Sequence, residues 1–328
     1  MSAFMISNRT CPFEERVGKA YIFINRLGAG FAIAWVVEDG LPIEKSMTTR
    51  FAPSPTGRLH LGHAYSVWLA WERAQAQDGR FLLRFEDIDH TRVREEYYEG
   101  IEEDLRWLGI SWAGRPLRQL DRFDDYREAL EKLNRLGVLY PCFCTRKDLA
   151  ISAPQRGDGT AIYAGTCREM PVAEREKRFA EKTSCAWRLD MGRAFGLVGE
   201  QTFRDERKGL VRVVPELLGD PVLARKDIAT SYHLAVVVDD AAQGITEVIR
   251  GEDLLESTHV HRVLQGLLDL SEPHYFHHRL VVDEAGQRLA KRHDSLAIAT
   301  LRDRGVSPAA VLARARAELE TNLGDSAC

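Results

Sequence analysis

Six cysteines are too few to hold a chain of 328 residues together as a disulfide scaffold. Long apolar runs are also missing. The stretch "LGAGFAIAWVV", residues 27–37, is too short for a transmembrane helix. It has the length of a signal-peptide core, but Glu38-Asp39-Gly40 follows where a small-residue cleavage site would be needed. Charge of one sign is not in excess: 45 Lys and Arg stand against 49 Asp and Glu, a net charge of −4. A bulk polycation for nucleic acid is therefore excluded, while local basic patches are not visible in such a sum. No internal repeat or low-complexity tract is present, which excludes solenoids and linkers as the organising plan. What remains is an ordinary globular composition, 45% hydrophobic and 29% charged, in a chain long enough for one large domain or two modest ones.

Residues 1–46 read as a disordered or non-native extension that the rest of the chain does not need. "MTTRFAPSP" at Met47 is a natural start for a first strand. From there strands and helices alternate. Thr48–Ala52 reads as a strand. A helix is expected from His60 to about Gln77, with Leu61, Tyr65, Trp68 and Leu69 at helical spacing. "RFLLRFED" reads as a buried strand. "EEYYEGIEEDLRWLGI" and "FDDYREALEKLNRLG" read as amphipathic helices, with Gly137 closing the second. After Tyr140 the pattern breaks into a loop-rich span, and from about residue 231 "YHLAVVVDD", "ITEVIRG" and "STHVHRVLQGLLDL" restore it. The fold class is α/β: a Rossmann-like parallel sheet in two halves, 47–140 and 231–287, around an insertion at 141–230. Residues 288–328 form a basic loop and a short C-terminal helical segment containing "SPAAVLARARAELE".

The stretch "RFAPSPTGRLHLGH" places His60 and His63 at a helix mouth straight after a proline- and glycine-rich turn. Unpaired N–H groups and the positive end of the macrodipole make a helix N-terminus attractive to phosphate. Imidazoles there add hydrogen bonds to phosphoryl oxygens, and Gly62 leaves room for a flat base against the backbone. His-x-x-His alone is accounted for by packing. The longer string is the specific signal.

With "RFEDIDHTR", "YHLAVVVDD", "ITEVIRGEDL" and "RLAKRHDS" following in order, this string resembles the class I aminoacyl-tRNA synthetases in their glutamyl form, over about Thr48–Ser295. The resemblance implies activation of L-glutamate by ATP with Mg²⁺. It implies that His60, Gly62 and His63 serve ATP and that Lys291 is the mobile-loop lysine. The family's Lys-hydrophobic-Ser-Lys reads Arg288-Leu289-Ala290-Lys291 here, which keeps a charge, loses a hydroxyl and implies slower activation. It places Arg50, Ala52, Ser54, Tyr232 and Arg250 around the amino acid, with Glu86 facing its ammonium. Independently of the resemblance, Glu86 and Arg250 follow strand-like runs, where open α/β sheets bind ligands. Asp87 and Asp89 read as structural.

Within the insertion, Cys142, Cys144 and Cys167 offer three thiolates for a structural zinc ion. The fourth ligand is open: chemistry allows Cys185, and the resemblance favours Tyr163. His274, His277 and His278 in "PHYFHH" read as packing and loop contacts, and "RLVVDEAGQRLA" as a hairpin. His259 and His261 are given no role.

Only residues 296–328 follow Ser295, too few for the large anticodon-binding domain of full glutamyl-tRNA synthetases. A short core with a Cys-x-Cys…Tyr-x₃-Cys insertion is similar to the glutamyl-queuosine tRNA(Asp) synthetases. That family transfers activated glutamate to the cyclopentenediol of queuosine in the anticodon stem-loop of tRNA(Asp). The expected partners are ATP, L-glutamate and that RNA, with no membrane, in a cytoplasmic monomer. "REKRF", "RDERKGLVR" and "LARARAE" are candidate basic contacts, each otherwise an ordinary solvated face. Two alternatives stay open: a compact glutamyl-tRNA synthetase charging the 3′ end of tRNA(Glu), and a non-catalytic paralogue that binds glutamate, ATP or RNA.

Overall fold

The computed structural model describes residues 20–27, 30–37, 46–145, 147–149, 162–280 and 297–321. Two units are distinct, divided between Ser46 and Met47. In the first, β1 (Ala20–Leu27) and β2 (Gly30–Val37) pair as an antiparallel hairpin within the span read from sequence as an extension.

The second unit opens with β3 (Thr48–Phe51), buried throughout. α1 (Leu61–Ala76) follows, and its Leu61, Ala64, Val67, Ala70 and Ala74 form a buried stripe. A buried Leu or Val of this kind contributes roughly 1.5–3 kcal/mol. β4 (Arg80–Phe85) pairs in parallel with β3. Its start needs Gly79, because a Cβ there would lie 2.3 Å from the Met47 carbonyl oxygen, the oxygen that accepts the Arg80 N–H at 2.7 Å. α2 (Glu95–Trp107) carries Glu95 and Glu96 in its first turn, where acidic side chains favour the macrodipole. β5 (Leu117–Arg118) extends the parallel sheet on β4. α3 (Phe123–Arg135) ends at Gly137, whose φ of +68° suits a residue without a Cβ.

The cysteine-bearing span forms its own antiparallel sheet. β6 (Leu139–Cys142) pairs with β7 (Ala186–Leu189), and β7 with β10 (Val222–Ala224). α4 (Val172–Ala180) and α5 (Met191–Val198) flank it in sequence. The hairpin of β8 (Thr202–Asp205) and β9 (Gly209–Arg212) behaves differently. It lies in the span read as the insertion, yet β8 pairs in parallel with β12 (His274–His278) of the second α/β half. The pairing is a single register position, Tyr275 with Asp205, too short to leave a periodic trace in the sequence.

α6 (Tyr232–Ala242), β11 (Glu247–Gly251) and α7 (Leu255–Leu268) rebuild the α/β pattern, and β11 pairs in parallel with β12. The Thr246 N–H donates to the Thr48 carbonyl at 2.9 Å, bringing β11 alongside β3. α8 (Ile298–Asp303) and α9 (Pro308–Thr321) close the chain, the latter over the expected final helix. The result is an α/β fold with a parallel sheet. No helix among the described residues is long and apolar enough to cross a membrane.

Candidate active site and metal centre

The two histidines at the mouth of α1 cap one another. His60 is the N-cap; its Nδ1 accepts the Gly62 N–H at 3.2 Å, and the Nδ1 of His63 accepts the His60 N–H at 3.2 Å. A neutral ring that accepts through Nδ1 carries its proton on Nε2, so both imidazoles are donors on their outer edge. The rings lie 3.9 Å apart. Gly62 is part of this fit: a Cβ there would come within 3.2 Å of the His60 ring.

This mouth opens on a cavity of about 480 Å³ at the C-terminal ends of β3, β4 and β11, the position where open α/β sheets take ligands. His60, Gly62 and His63 line it, and so do Arg50, Ala52, Ser54, Glu86, Tyr232 and Arg250. The turn between β3 and α1 is pinned to the end of β4 by the Glu86 N–H donating to the Pro53 carbonyl at 3.0 Å.

Charge is arranged unevenly around the cavity. Asp240, on α6, accepts from Arg50 Nε at 2.9 Å and from Arg84 Nη1 at 2.8 Å. Arg84 is fully buried, and Glu86 approaches it at 3.9 Å. Burial pushes Glu86 up to about 7, against the pull of Arg84 and Arg50 and with the help of Asp240. Arg250 is only 7% exposed. It donates to Tyr232 Oη (3.1 Å), Thr258 Oγ1 (2.7 Å), the Leu254 carbonyl (3.2 Å) and His277 Nε2 (3.0 Å). All four acceptors are neutral. Among the described residues no carboxylate pairs with Arg250 directly, so the cavity holds a buried positive charge that an anionic ligand would complement.

Several of the residues that build this site had no assigned role in the sequence reading. Asp240 is 190 residues from Arg50. His261, on α7, lies 3.5 Å from Arg250 Nη1 and 3.3 Å from His233. Burial and Arg250 push His233 down to about 4 and His261 well below its usual range, so neither adds positive charge at neutral pH. His274 is exposed, while His277 and His278 are buried. His278 lines the cavity and contacts Ser66 Oγ at 2.6 Å. Asp87 accepts from Tyr98 Oη and the Leu120 N–H, and Asp89 from Thr91 Oγ1 and Arg225, all within the protein's own framework.

Arg288, Ala290 and Lys291, and the hairpin expected before them, lie outside the described residues. Leu280, the last described residue before that segment, lines the cavity. Ala297, the first after it, forms a β-bridge with His60.

Away from the cavity, Cys142, Cys144 and Cys167 bring their sulfurs within 4.8 Å of one another. Cys144 and Cys167 are 3.5 Å apart. Tyr163 Oη is 3.4 Å from the Cys142 sulfur and 3.8 Å from that of Cys144. A tetrahedral zinc ion with 2.3 Å bonds needs sulfurs about 3.8 Å apart, so this donor set fits a metal ion. Cys185 is outside the cluster.

Comparison with known proteins gives the family. The family described as tRNA synthetases class I (E and Q), catalytic domain, matches residues 46–318. A glutamyl-Q tRNA(Asp) synthetase of Rhodobacter capsulatus is 48% identical over 80% of this chain and 97% of its own length. One from Nitratidesulfovibrio vulgaris is 46% identical over 80% of this chain and 82% of its own. Among solved structures, a glutamate-tRNA synthetase from Elizabethkingia anophelis aligns with a TM-score of 0.66 and 31% identity. The alignment covers 76% of this chain and 53% of that protein, so the chain spans about half its length.

Proposed function

Since the chain belongs to the class I tRNA synthetases for glutamate and glutamine, and within them to the glutamyl-Q tRNA(Asp) synthetases, we propose that it activates L-glutamate with ATP and esterifies it to queuosine of tRNA(Asp). The observation that carries this reading is the meeting, in one cavity, of the His60–His63 helix mouth with Glu86 and the carboxylate-free Arg250. Glutamate lies with its side-chain carboxylate on Arg250 and Tyr232 and its ammonium towards Glu86. Arg50, Ala52 and Ser54 form the adjoining wall. The α-carboxylate oxygen attacks the α-phosphorus of ATP. An oxygen–phosphorus bond forms as the bond to pyrophosphate breaks. A queuosine hydroxyl then attacks the acyl carbon, and AMP leaves.

No side chain becomes covalently attached in this scheme. Alignment of two anions and stabilisation of transferred charge supply the rate. His60 and His63 donate through Nε2 to phosphate, Gly62 admits the base, and Lys291 and Arg288 act on ATP from the segment between Leu280, which lines the cavity, and Ala297, which pairs with His60. Mg²⁺ bound with ATP neutralises phosphate charge. The chain acts as a monomer, and its ATP and tRNA substrates place it in the cytoplasm.

The deciding experiment supplies radiolabelled glutamate, ATP and Mg²⁺ with tRNA(Asp) bearing or lacking queuosine. Label on the queuosine form alone, retained when periodate has blocked the 3′ end, is the expected result. Label at the 3′ end of tRNA(Glu) would make this a compact glutamyl-tRNA synthetase. Absence of any label, together with no glutamate-dependent pyrophosphate exchange, would make it a binding paralogue.

Glutamate affinity should depend on pH through Glu86. Its ionised form holds the ammonium, and burial keeps the free carboxyl near 7. The KM for glutamate should therefore be low above pH 7 and climb as pH falls below it, while the KM for ATP stays level. Glu86→Gln should raise the glutamate KM and flatten that profile. A wild-type profile flat from pH 6 to 8 would remove Glu86 from this role.

The cysteine cluster is a structural zinc site in this reading, with Cys142, Cys144, Cys167 and Tyr163 as ligands. Zinc would supply cross-linking of the loop-rich span and no chemistry in the reaction. Purified, reduced protein should contain about one zinc ion per chain. Cys167→Ser should lose it and unfold at lower temperature, and zinc-free wild-type protein would end the assignment.

A further inference from the structure

The buried Asp205–His277 pair has no part in the scheme above, yet its far end touches Arg250. We propose that Asp205 and His277 are positioning residues for glutamate recognition, fixing the face that Arg250 presents to the substrate carboxylate. The inference rests on the reading of Arg250 as the carboxylate anchor.

Asp205 is buried, 1% exposed, and its carboxylate is fully engaged. Oδ1 accepts the N–H groups of Arg207 (3.0 Å) and Lys208 (2.9 Å). Oδ2 accepts the His277 N–H at 3.1 Å and lies 2.8 Å from His277 Nδ1. The carboxylate accepts only, so the His277 proton belongs on Nδ1. That leaves Nε2 as an acceptor, and Arg250 Nε donates to it at 3.0 Å. Burial and the nearby guanidinium also hold His277 below its usual range, which keeps it neutral. The same logic makes a carboxylate orient a metal-binding histidine through its other nitrogen; here a guanidinium takes the place of the metal.

The consequence for specificity is geometric. A guanidinium holds its N–H groups in one plane, so rotation about its long stem would misdirect the N–H left for a carboxylate. Arg250 Nε is locked by His277, and Nη2 by Thr258 and Leu254, which fixes the guanidinium plane and leaves Nη1, shared with Tyr232, to meet the substrate. The carboxylate that sets the histidine comes from β8, in the span read as the insertion.

Two substitutions separate positioning from mere packing. Asparagine at 277 can reproduce the Nδ1 donor to Asp205 but has no acceptor at the Nε2 position. Glutamine reaches the Nε2 position with an oxygen. In glutamate-dependent pyrophosphate exchange, His277→Asn should raise the KM for glutamate more than tenfold and narrow the preference for glutamate over glutamine. The KM for ATP should not move. His277→Gln should recover most of that loss, although both variants melt at lower temperature. Lower melting temperatures with glutamate KM unchanged in both would make the pair structural only and overturn the proposal. Equal loss in both variants would also overturn it. Wild-type protein that neither exchanges nor binds glutamate by calorimetry would overturn the site reading, and this inference with it.

Discussion

Arg250→Leu should lower kcat/KM for glutamate activation by about 100- to 1,000-fold, most of it in the KM for glutamate. Truncating one member of a buried, hydrogen-bonded charge pair costs about 2–5 kcal/mol, and each 1.36 kcal/mol is a factor of ten. The loss stays above the lower end of that range because nothing nearby can substitute. Arg50 also lines the cavity, but its Nε and Nη2 are already held by Asp240 at 2.9 and 3.3 Å. His233 and His261 are neutral beside the site. Arg250→Lys should recover part of the activity. An ammonium keeps the charge but cannot reach Tyr232, Thr258 and His277 together while still donating to the substrate. Exchange assays over a glutamate titration, with ATP saturating, read the effect. An unchanged glutamate KM in the leucine variant would move carboxylate recognition away from Arg250.

The helix mouth, the strand ends and the cysteine spacing could be read from sequence because each is local. His60 and His63 sit three apart, as a capping pair must, and Glu86 and Arg250 close apolar runs that become β4 and β11. The supports of those residues are not local. Asp240 follows the apolar run of α6, and nothing in its neighbourhood announces that its partners are Arg50 and Arg84. Asp205 is 72 residues from His277, on a strand that meets β12 at one register position. His277 belongs to a histidine-rich run whose buried and exposed members alternate only in part. Local periodicity identifies the residues at the cavity wall. The ion pairs that set their orientation depend on chain crossings that leave no periodic signal.

The same distinction makes Asp240 the residue whose loss should do most damage to stability. Burial alone would raise its carboxyl, but Arg50 and Arg84 overcome that and hold it below the usual carboxylate range. Asp240→Asn keeps the shape and removes the charge. Two guanidinium groups, one of them fully buried, then share a site without their common counter-ion. Breaking a buried pair in this way costs about 3–5 kcal/mol, a fall of roughly 5–8 °C in Tm for a domain of this size class. The pH dependence has a definite sign. A carboxyl depressed in the folded state stabilises it above the unfolded carboxylate pKa, and that contribution fades as pH falls through the folded value. Wild-type protein should therefore lose stability on acidification with a term that Asp240→Asn lacks, so the gap between the two melting curves should narrow below pH 4. The variant should also alter the active site. Asp240 is one of the charges that raise Glu86, and Arg84 and Arg50 lower it. Without Asp240 the Glu86 carboxyl should ionise more readily, and the acid limb of the glutamate KM profile should move to lower pH. A variant that melts like wild type, with the same profile, would show that the Arg50–Asp240–Arg84 cluster supports neither the fold nor the carboxylate beside it.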